Sequence, residues 1–351
     1  MRHANVIGTG LIGGSIGLGL RALGWHVSGV DADAERADRA KQLGAIDSVG
    51  IDRLGEITFV AVPVQAIPDA ARRALAETNG LVTDVGSVKA SVVNAVADGR
   101  FVGGHPMAGS EQDGVDGADA AIFHGAVWVL TPDAATNDDA FAAVRSIVAS
   151  LGADVVALPP DRHDALVAVV SHVPHLTAAT LMRLADDRAD EHRAVLRLAA
   201  GGFRDMTRIA AGSPGIWPDI CAENRDAIVD GLDRLIAGLS EMRTVVAGAD
   251  RDGLLAALEQ ARVARVNLPG RGERPEDLIE MRVPVPDRPG VIAEVATLAS
   301  ELDVNLFDVE VAHSSEGQQG VLILLVAADR AERLQGGLLA RGYRPALRPL
   351  A

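Results

Sequence analysis

Four short segments concentrate polar side chains in apolar surroundings, and each suggests a chemical task. In Gly103-Gly-His-Pro-Met-Ala-Gly-Ser-Glu111, His105 stands between a flexible glycine pair and a rigid proline, directly after an apolar run. An imidazole titrating near its ordinary value of about 6.5 can take and return a proton around neutrality, so the position suits a general base. A loop histidine is also a common structural group, and the residue type alone leaves both readings open. Asp84-Val-Gly-Ser-Val-Lys89 follows another apolar run. Open α/β sheets bind ligands at the carboxyl ends of their strands, which puts Ser87 beside a ligand.

The third segment, Ser171-His-Val-Pro-His175, interrupts a helical pattern. Pro174 is expected to kink that helix, while Ser171 and His175, four residues apart, share a face. A His-x-x-His pair without a nearby carboxylate or cysteine ligand is poor zinc chemistry, so no metal site is expected; an interdomain histidine remains the plain alternative. The fourth is Gly201-Gly-Phe-Arg-Asp-Met-Thr-Arg208, followed by Ser213-Pro-Gly-Ile-Trp217. Arg204 and Arg208 bracket Asp205 and make a local cationic site in a chain whose formal net charge is −15. Guanidinium forks recognise carboxylates, although a surface ion-pair patch would look the same in sequence.

The chain opens on the element that must position these groups. A short apolar strand runs into Gly8, Gly10 and Gly13, with Leu11 and Ile12 between the last two. In G-x-G-x-x-G the first glycine makes the turn, the second lets backbone approach a pyrophosphate, and the third lets the helix pack closely on the sheet. The helix amino terminus then favours the phosphate charge. Asp31 ends the second strand at the spacing expected for a carboxylate on a ribose 2′-hydroxyl, which favours NAD over NADP, whereas Arg36 is the residue that could meet a 2′-phosphate. Ser87 would then face the nicotinamide.

Apolar runs at Ala4–Gly8, Val27–Val30, Thr58–Val62, Leu81–Val85, Phe101–Gly104, Ala126–Leu130 and Val155–Leu158 alternate with helical patterns. Together they predict an α/β, Rossmann-type, mostly parallel sheet over residues 1–158. Residues 159–268 show helical periodicity only, with apolar faces broad enough to pack on a second subunit. A Gly/Pro linker is expected at 269–277. Residues 278–351 read βαββαβ, a ferredoxin-like α+β unit. Of the 351 residues 48% are hydrophobic and one, Cys221, is a cysteine, so an intramolecular disulfide is excluded and a cytoplasmic address is expected. No segment reads as a membrane span or signal peptide, and the acidic balance argues against nucleic acid.

The glycine loop, Gly-Ser-Val-Lys, His-Pro-Met-Ala-Gly-Ser-Glu, Ser-His-Val-Pro-His and Phe-Arg-Asp-Met-Thr-Arg with its downstream Trp resemble, in this order, the prephenate dehydrogenases of tyrosine biosynthesis. The resemblance covers the whole chain. Pro286-Asp-Arg-Pro-Gly-Val-Ile292 with Asp303-Val-Asn-Leu306 resembles an ACT domain, a module that in its family binds amino acids and that could also serve dimerisation alone. The resemblance implies NAD-dependent oxidative decarboxylation of prephenate, with tyrosine as effector and a homodimer as the assembly. By motif position it makes His105 the catalytic histidine and Ser87 its assisting serine. Arg208 would hold a substrate carboxylate with Asp205 close by, and His175, Ser171, Glu111 and Trp217 would line the substrate. Asp287, Gly290 and Asn305 would meet the effector. Arogenate in place of prephenate, or a non-catalytic sensor of NAD and an amino acid, are the alternatives.

Overall fold

The computed structural model describes residues 1–110, 112–189, 201–267, 278–286, 288–313 and 319–349; Glu111, Asp287 and the expected linker 269–277 lie outside these described residues. The chain divides into two compact units, Met1–Ser240 and Glu241–Ala351.

In the first unit, β1 (His3–Ile7), β2 (His26–Val30), β3 (Ser48–Val49), β4 (Ile57–Val60), β5 (Leu81–Asp84), β6 (Phe101–Pro106), β7 (Val127–Thr131) and β8 (Asp154–Ala157) form one sheet. Its order is β3-β2-β1-β4-β5-β6-β7-β8. All neighbours are parallel except β6 and β7. Parallel neighbours need crossovers, supplied here by α1 (Leu11–Ala22), α2 (Ala34–Gln42), α3 (Ile67–Glu77) and α5 (Asp138–Ser150), whereas β6 reaches β7 through a segment holding only the short 3-10 turn Val115–Gly117 and pairs antiparallel. The crossover from β5 to its parallel neighbour β6 is made by α4 (Ala90–Val96), which follows the Ser87 turn. The strands are apolar on both faces because helices cover both: Val6, Val27 and Phe59 are fully buried on one side, Val60, Ile67 and Val82 on the other. Burying a side chain such as Phe59 contributes about 1.5–3 kcal/mol. The strand order reverses between β1 and β4, which opens a crevice at their carboxyl ends.

The helical part begins with α6 (Pro160–Val167), a π turn (Ala168–His172) and α7 (Val173–Ala189). Pro174 was expected to kink this run. Immediately before Pro174 the helix takes up an extra residue as the π turn, in which the Val173 N–H reaches the Ala168 carbonyl five residues back. The expectation that no segment could span a bilayer also needs correction, because Pro160–Asp187 is long and apolar enough by length and composition. His163, Asp164 and His172 on this run are nevertheless buried against protein, and such polar groups mark an interior helix of the fold. Beyond it come α8 (Gly201–Thr207), 3-10 turns at Arg208–Ala211 and Pro214–Ile216, α9 (Trp217–Glu223) and α10 (Arg225–Ala247). Ile220 and Trp217 join the core around Ile67 and Val88, so α9 docks on the sheet domain. Val229, Ile236 and Leu239 of α10 are exposed.

The second unit holds α11 (Arg251–Val266), β9 (Leu278–Pro286), α12 (Val291–Glu301), β10 (Asp308–His313), β11 (Gln319–Ala327), α13 (Ala328–Ala340) and β12 (Ala346–Pro349). The strands form an antiparallel sheet of order β10-β11-β9-β12, the expected ferredoxin-like arrangement. Its core joins Met281, Val283, Leu322 and Leu324 to Val295 and Leu334. The edge strand β10 starts only at Asp308, since Asp303 turns with φ 55° and Val304 drops into the core. Gly290 precedes α12 at φ 90°, a conformation that favours glycine. It borders an open groove of about 910 Å³ in which Arg288 pairs with Glu294 at 2.7 Å, Tyr343 donates to Glu294 at 2.8 Å and Arg341 pairs with Glu301 at 2.7 Å. Asn305 is exposed and does not line it.

Candidate active site

The glycine turn is built for a dinucleotide. Gly8 has φ 93°, and a Cβ there would collide with the Ala61 carbonyl; a Cβ on Gly13 would strike the Gly8 carbonyl. At Gly10, by contrast, a Cβ would meet nothing within 4 Å, which leaves room for a pyrophosphate over the amino terminus of α1. Asp31 accepts from the Thr9 amide at 2.8 Å and the Thr9 hydroxyl at 3.3 Å, and its other oxygen accepts from the Asp33 amide at 3.1 Å. The carboxylate at the end of β2 therefore also braces the turn, a role the spacing did not reveal. On one side a groove of about 760 Å³ includes Gly10, Asp33, Arg36, Arg39 and Asp116, with Arg39 and Asp116 paired at 2.5 Å. On the other a cleft of about 340 Å³ brings Gly10, Leu11 and Ile12 together with Val85, Ser87 and Ile220. These residues fit NAD, with open backbone at Gly10 for the pyrophosphate, a groove on one side and a cleft lined by Ser87 on the other.

His105 lies on a strand, not in the loop expected from its glycine neighbours. Antiparallel pairing with β7 carries β6 on to Pro106, and His105 sits opposite Val129 with 9% of its surface exposed. Its Nδ1 is 2.9 Å from His163 Nε2, and His163 Nδ1 is 2.7 Å from Asp164 Oδ1. Asp164 also accepts from the backbone amides of Lys89 at 2.8 Å and Ala90 at 2.9 Å. The start of α6 is thereby tied to the start of α4 and to the histidine on β6.

Lys89 is fully buried. Its ammonium pairs with the Asp84 carboxylate and donates to the Gly104 carbonyl at 2.9 Å, while Asp84 accepts from the amides of Gly86 at 2.8 Å and Gly104 at 3.1 Å. One ion pair thus fastens the Ser87 turn to the residue before His105. Burial pulls the Lys89 pKa down, and Asp84 and Asp164 oppose that shift. Burial also holds His105 well below the ordinary histidine range, helped by His163, the Lys89 charge and His172. Its imidazole is a neutral group throughout the neutral pH range.

On the helical side, His175 stacks on Trp217 with ring centroids 3.6 Å apart, and His172 meets the same indole edge-on at 6.0 Å. Asn224 donates to the Asp164 carbonyl at 2.9 Å and lies 3.2 Å from His172 Nδ1. Burial lowers the His172 pKa to about 4, against the raising influence of Asp164 and with His163 lowering it further. His175, less enclosed, is lowered by burial as well. Ser171 is half-buried in the π turn. Arg208 and Asp205 are exposed, Arg208 opening the 3-10 turn that packs against α7, the helix of His175.

The contacts therefore unite His105, the Ser87 turn and the His172–His175–Trp217 cluster through His163, Asp164 and Asn224. Those three, with Asp84 as the partner of Lys89, were missed in sequence. The one available signal was polar residues beginning a helix at Asp161-Arg-His-Asp164, which reads like an ordinary solvated first turn.

Residues 16–157 match the family model "Prephenate dehydrogenase, nucleotide-binding domain" and residues 159–260 match "Prephenate dehydrogenase, dimerization domain". The chain is 34% identical over 339 residues to a prephenate dehydrogenase of Bacillus subtilis, covering 92% of this chain and 91% of the relative. It is 34% identical over 281 residues to a cyclohexadienyl dehydrogenase of Zymomonas mobilis, covering 76% of this chain and 96% of that one. Among solved structures it resembles prephenate dehydrogenase from Aquifex aeolicus in complex with hydroxyphenyl propionate and NAD+, with TM-score 0.72, 27% identity and coverage of 77% and 99%. It also resembles Synechocystis arogenate dehydrogenase, with TM-score 0.66, 30% identity and coverage of 75% and 98%. A glycine turn fitted to NAD, a buried neutral imidazole tied to the start of the helix after the Ser87 turn and 34% identity over 92% of the chain lead to one conclusion: the chain belongs to the prephenate dehydrogenase family, as an NAD-binding oxidoreductase with a dimerization domain.

Proposed function

We propose that the chain catalyses the NAD-dependent oxidative decarboxylation of prephenate to 4-hydroxyphenylpyruvate in tyrosine biosynthesis, under feedback by an aromatic amino acid, and that it does so as a homodimer. The observation that carries this reading is His105: buried, neutral, with one ring nitrogen occupied by His163 and the other left for substrate. His105 takes the proton of the ring hydroxyl, and Ser87 orients that hydroxyl. Bound NAD supplies the acceptor for the hydride that leaves the same carbon. The C–C pair of the departing carboxylate closes the aromatic ring, carbon dioxide leaves, and His105 returns its proton to the phenolic oxygen. Arg208 holds a substrate carboxylate with Asp205 close by, and His175, Ser171 and Trp217 bind the rest of the substrate, with Glu111 assigned as a gating acid by motif position alone. Purified protein with NAD and prephenate should release 4-hydroxyphenylpyruvate and carbon dioxide in equal amounts; conversion of arogenate alone would refute the substrate assignment. Arogenate is the second reading, favoured by the 30% identity to a protein named arogenate dehydrogenase.

The C-terminal unit is assigned as an ACT domain that receives tyrosine near Gly290; of the other two residues the resemblance pointed to, Asn305 lies off this groove and Asp287 lies outside the described residues. Its ferredoxin-like sheet and the Arg/Glu-lined groove beside Gly290 support this, since an amino acid offers a carboxylate and an ammonium group to such pairs. The exposed apolar face of α10 supports a dimer formed by the helical part. Arg288→Ala, which removes a groove cation, should relieve tyrosine inhibition without changing uninhibited turnover; unchanged inhibition would move the effector elsewhere.

A further inference from the structure

We propose that His163 and Asp164 are positioning residues that choose which nitrogen of His105 is free to act as base. The inference rests on His105 being that base, and it follows from a proton count along the chain of hydrogen bonds. Two backbone amides already point at the Asp164 oxygens, at 2.8 and 2.9 Å, so Asp164 serves as an acceptor. His163 Nδ1, 2.7 Å from Oδ1, therefore carries its proton. In a neutral imidazole the other nitrogen is then a lone pair, so His163 Nε2 accepts, and the group 2.9 Å away that must donate to it is His105 Nδ1–H. With Nδ1 protonated and burial keeping the ring neutral, the lone pair of His105 stands on Nε2. When Nε2 takes the hydroxyl proton, the resulting cation faces the Asp164 carboxylate through His163, and the charge is shared along the chain.

The same carboxylate anchors the amides that open α4, directly after the Ser87 turn. One side chain from the helical part thus sets both the tautomer of the base and the seat of its assisting serine. Burial makes the arrangement rigid: His163 is 0% and Asp164 6% exposed.

Asp164→Asn is the sharpest perturbation. An amide that donates to His163 Nδ1 forces the proton of His163 to Nε2, which in turn makes His105 Nδ1 the acceptor and protonates its Nε2. An imidazole held in the wrong tautomer costs about 10⁴ in turnover where a comparable carboxylate–imidazole pair has been altered in this way. We expect kcat to fall about 10²–10⁴-fold with KM for prephenate and the Kd for NAD within about threefold. His163→Gln, whose carbonyl can still accept from His105 Nδ1, should retain turnover within about tenfold, while His163→Leu should fall with Asp164→Asn. Long-range proton–nitrogen NMR of the uniformly labelled full chain should show His105 Nε2 unprotonated in the wild type and protonated in Asp164→Asn.

A protonated Nε2 in the wild type, or His163→Leu turning over like the wild type, would overturn the proposal. Should Asp164→Asn fail to fold, the two His163 variants and the wild-type spectrum decide alone. His105→Asn measured alongside separates the two levels: full turnover there removes the base itself, whereas collapse there with normal His163→Leu removes only the positioning pair.

Discussion

Lys89→Met tests how the site is held. The ammonium and its partner Asp84 are both fully buried, and methionine fills nearly the same volume without the charge. The substitution leaves the Asp84 carboxylate in the interior with two amide donors, from Gly86 and Gly104, and no cation. Breaking a buried pair from one side costs about 3–5 kcal/mol, because the surviving charge keeps its desolvation penalty and loses its compensation. For a unit of this size each kcal/mol moves Tm by about 2–4 °C, so the expected drop is roughly 6–20 °C. Removing the second charge should restore part of it: Lys89→Met/Asp84→Asn keeps one acceptor for the amides and should melt above Lys89→Met by several degrees. Because Lys89 also lowers the His105 pKa, the single variant should lose activity at a higher pH than the wild type as acid is added. Circular-dichroism melts without NAD avoid masking by ligand binding. A shift under about 2 °C for Lys89→Met, or a double variant less stable than the single one, would refute the argument that this pair is charged, buried and mutually compensating.

Acid should destabilise the fold over a window set by His172. Its folded-state pKa of about 4 lies below the ordinary 6.5, so the unfolded chain binds the proton first; the contribution is complete above about pH 6.5 and is lost as pH falls toward 4. Over that window the loss is roughly 3 kcal/mol, and urea midpoints for His172→Asn should fall less steeply than those of the wild type; parallel slopes would contradict the assignment. Arg208→Ala should raise KM for prephenate about 10- to 150-fold, corresponding to about 1.5–3 kcal/mol of charge-assisted hydrogen bonding, and an unchanged KM would detach Arg208 from the substrate.

The nucleotide half was legible because its signals are local. The Gly8-Gly10-Gly13 spacing answers to backbone sterics at a single turn, and strands such as Ile57–Val60 announce themselves as unbroken apolar runs between helical patterns. The ferredoxin-like unit was legible for the same reason. His105 as a candidate base was readable from its neighbours, but its strand conformation was not, since pairing with β7 is a non-local fact. His163 and Asp164 were hidden more deeply. They open a helix of the other domain, where acidic and basic residues ordinarily face water, and only packing α6 against β6 and α4 turns them into buried partners. The proline at 174 announced a break in helix regularity, but not that the break would take the form of a π turn at Ala168–His172.

Initial rates of nicotinamide reduction with saturating NAD and prephenate, compared between the wild type and His105→Asn, test the central claim most directly. The expected result is steady turnover by the wild type, retained as pH falls through the ordinary histidine range, and a drop of about 10²–10⁴-fold in kcat for His105→Asn with KM little changed. No reduction by the wild type, or undiminished turnover by His105→Asn, would contradict it.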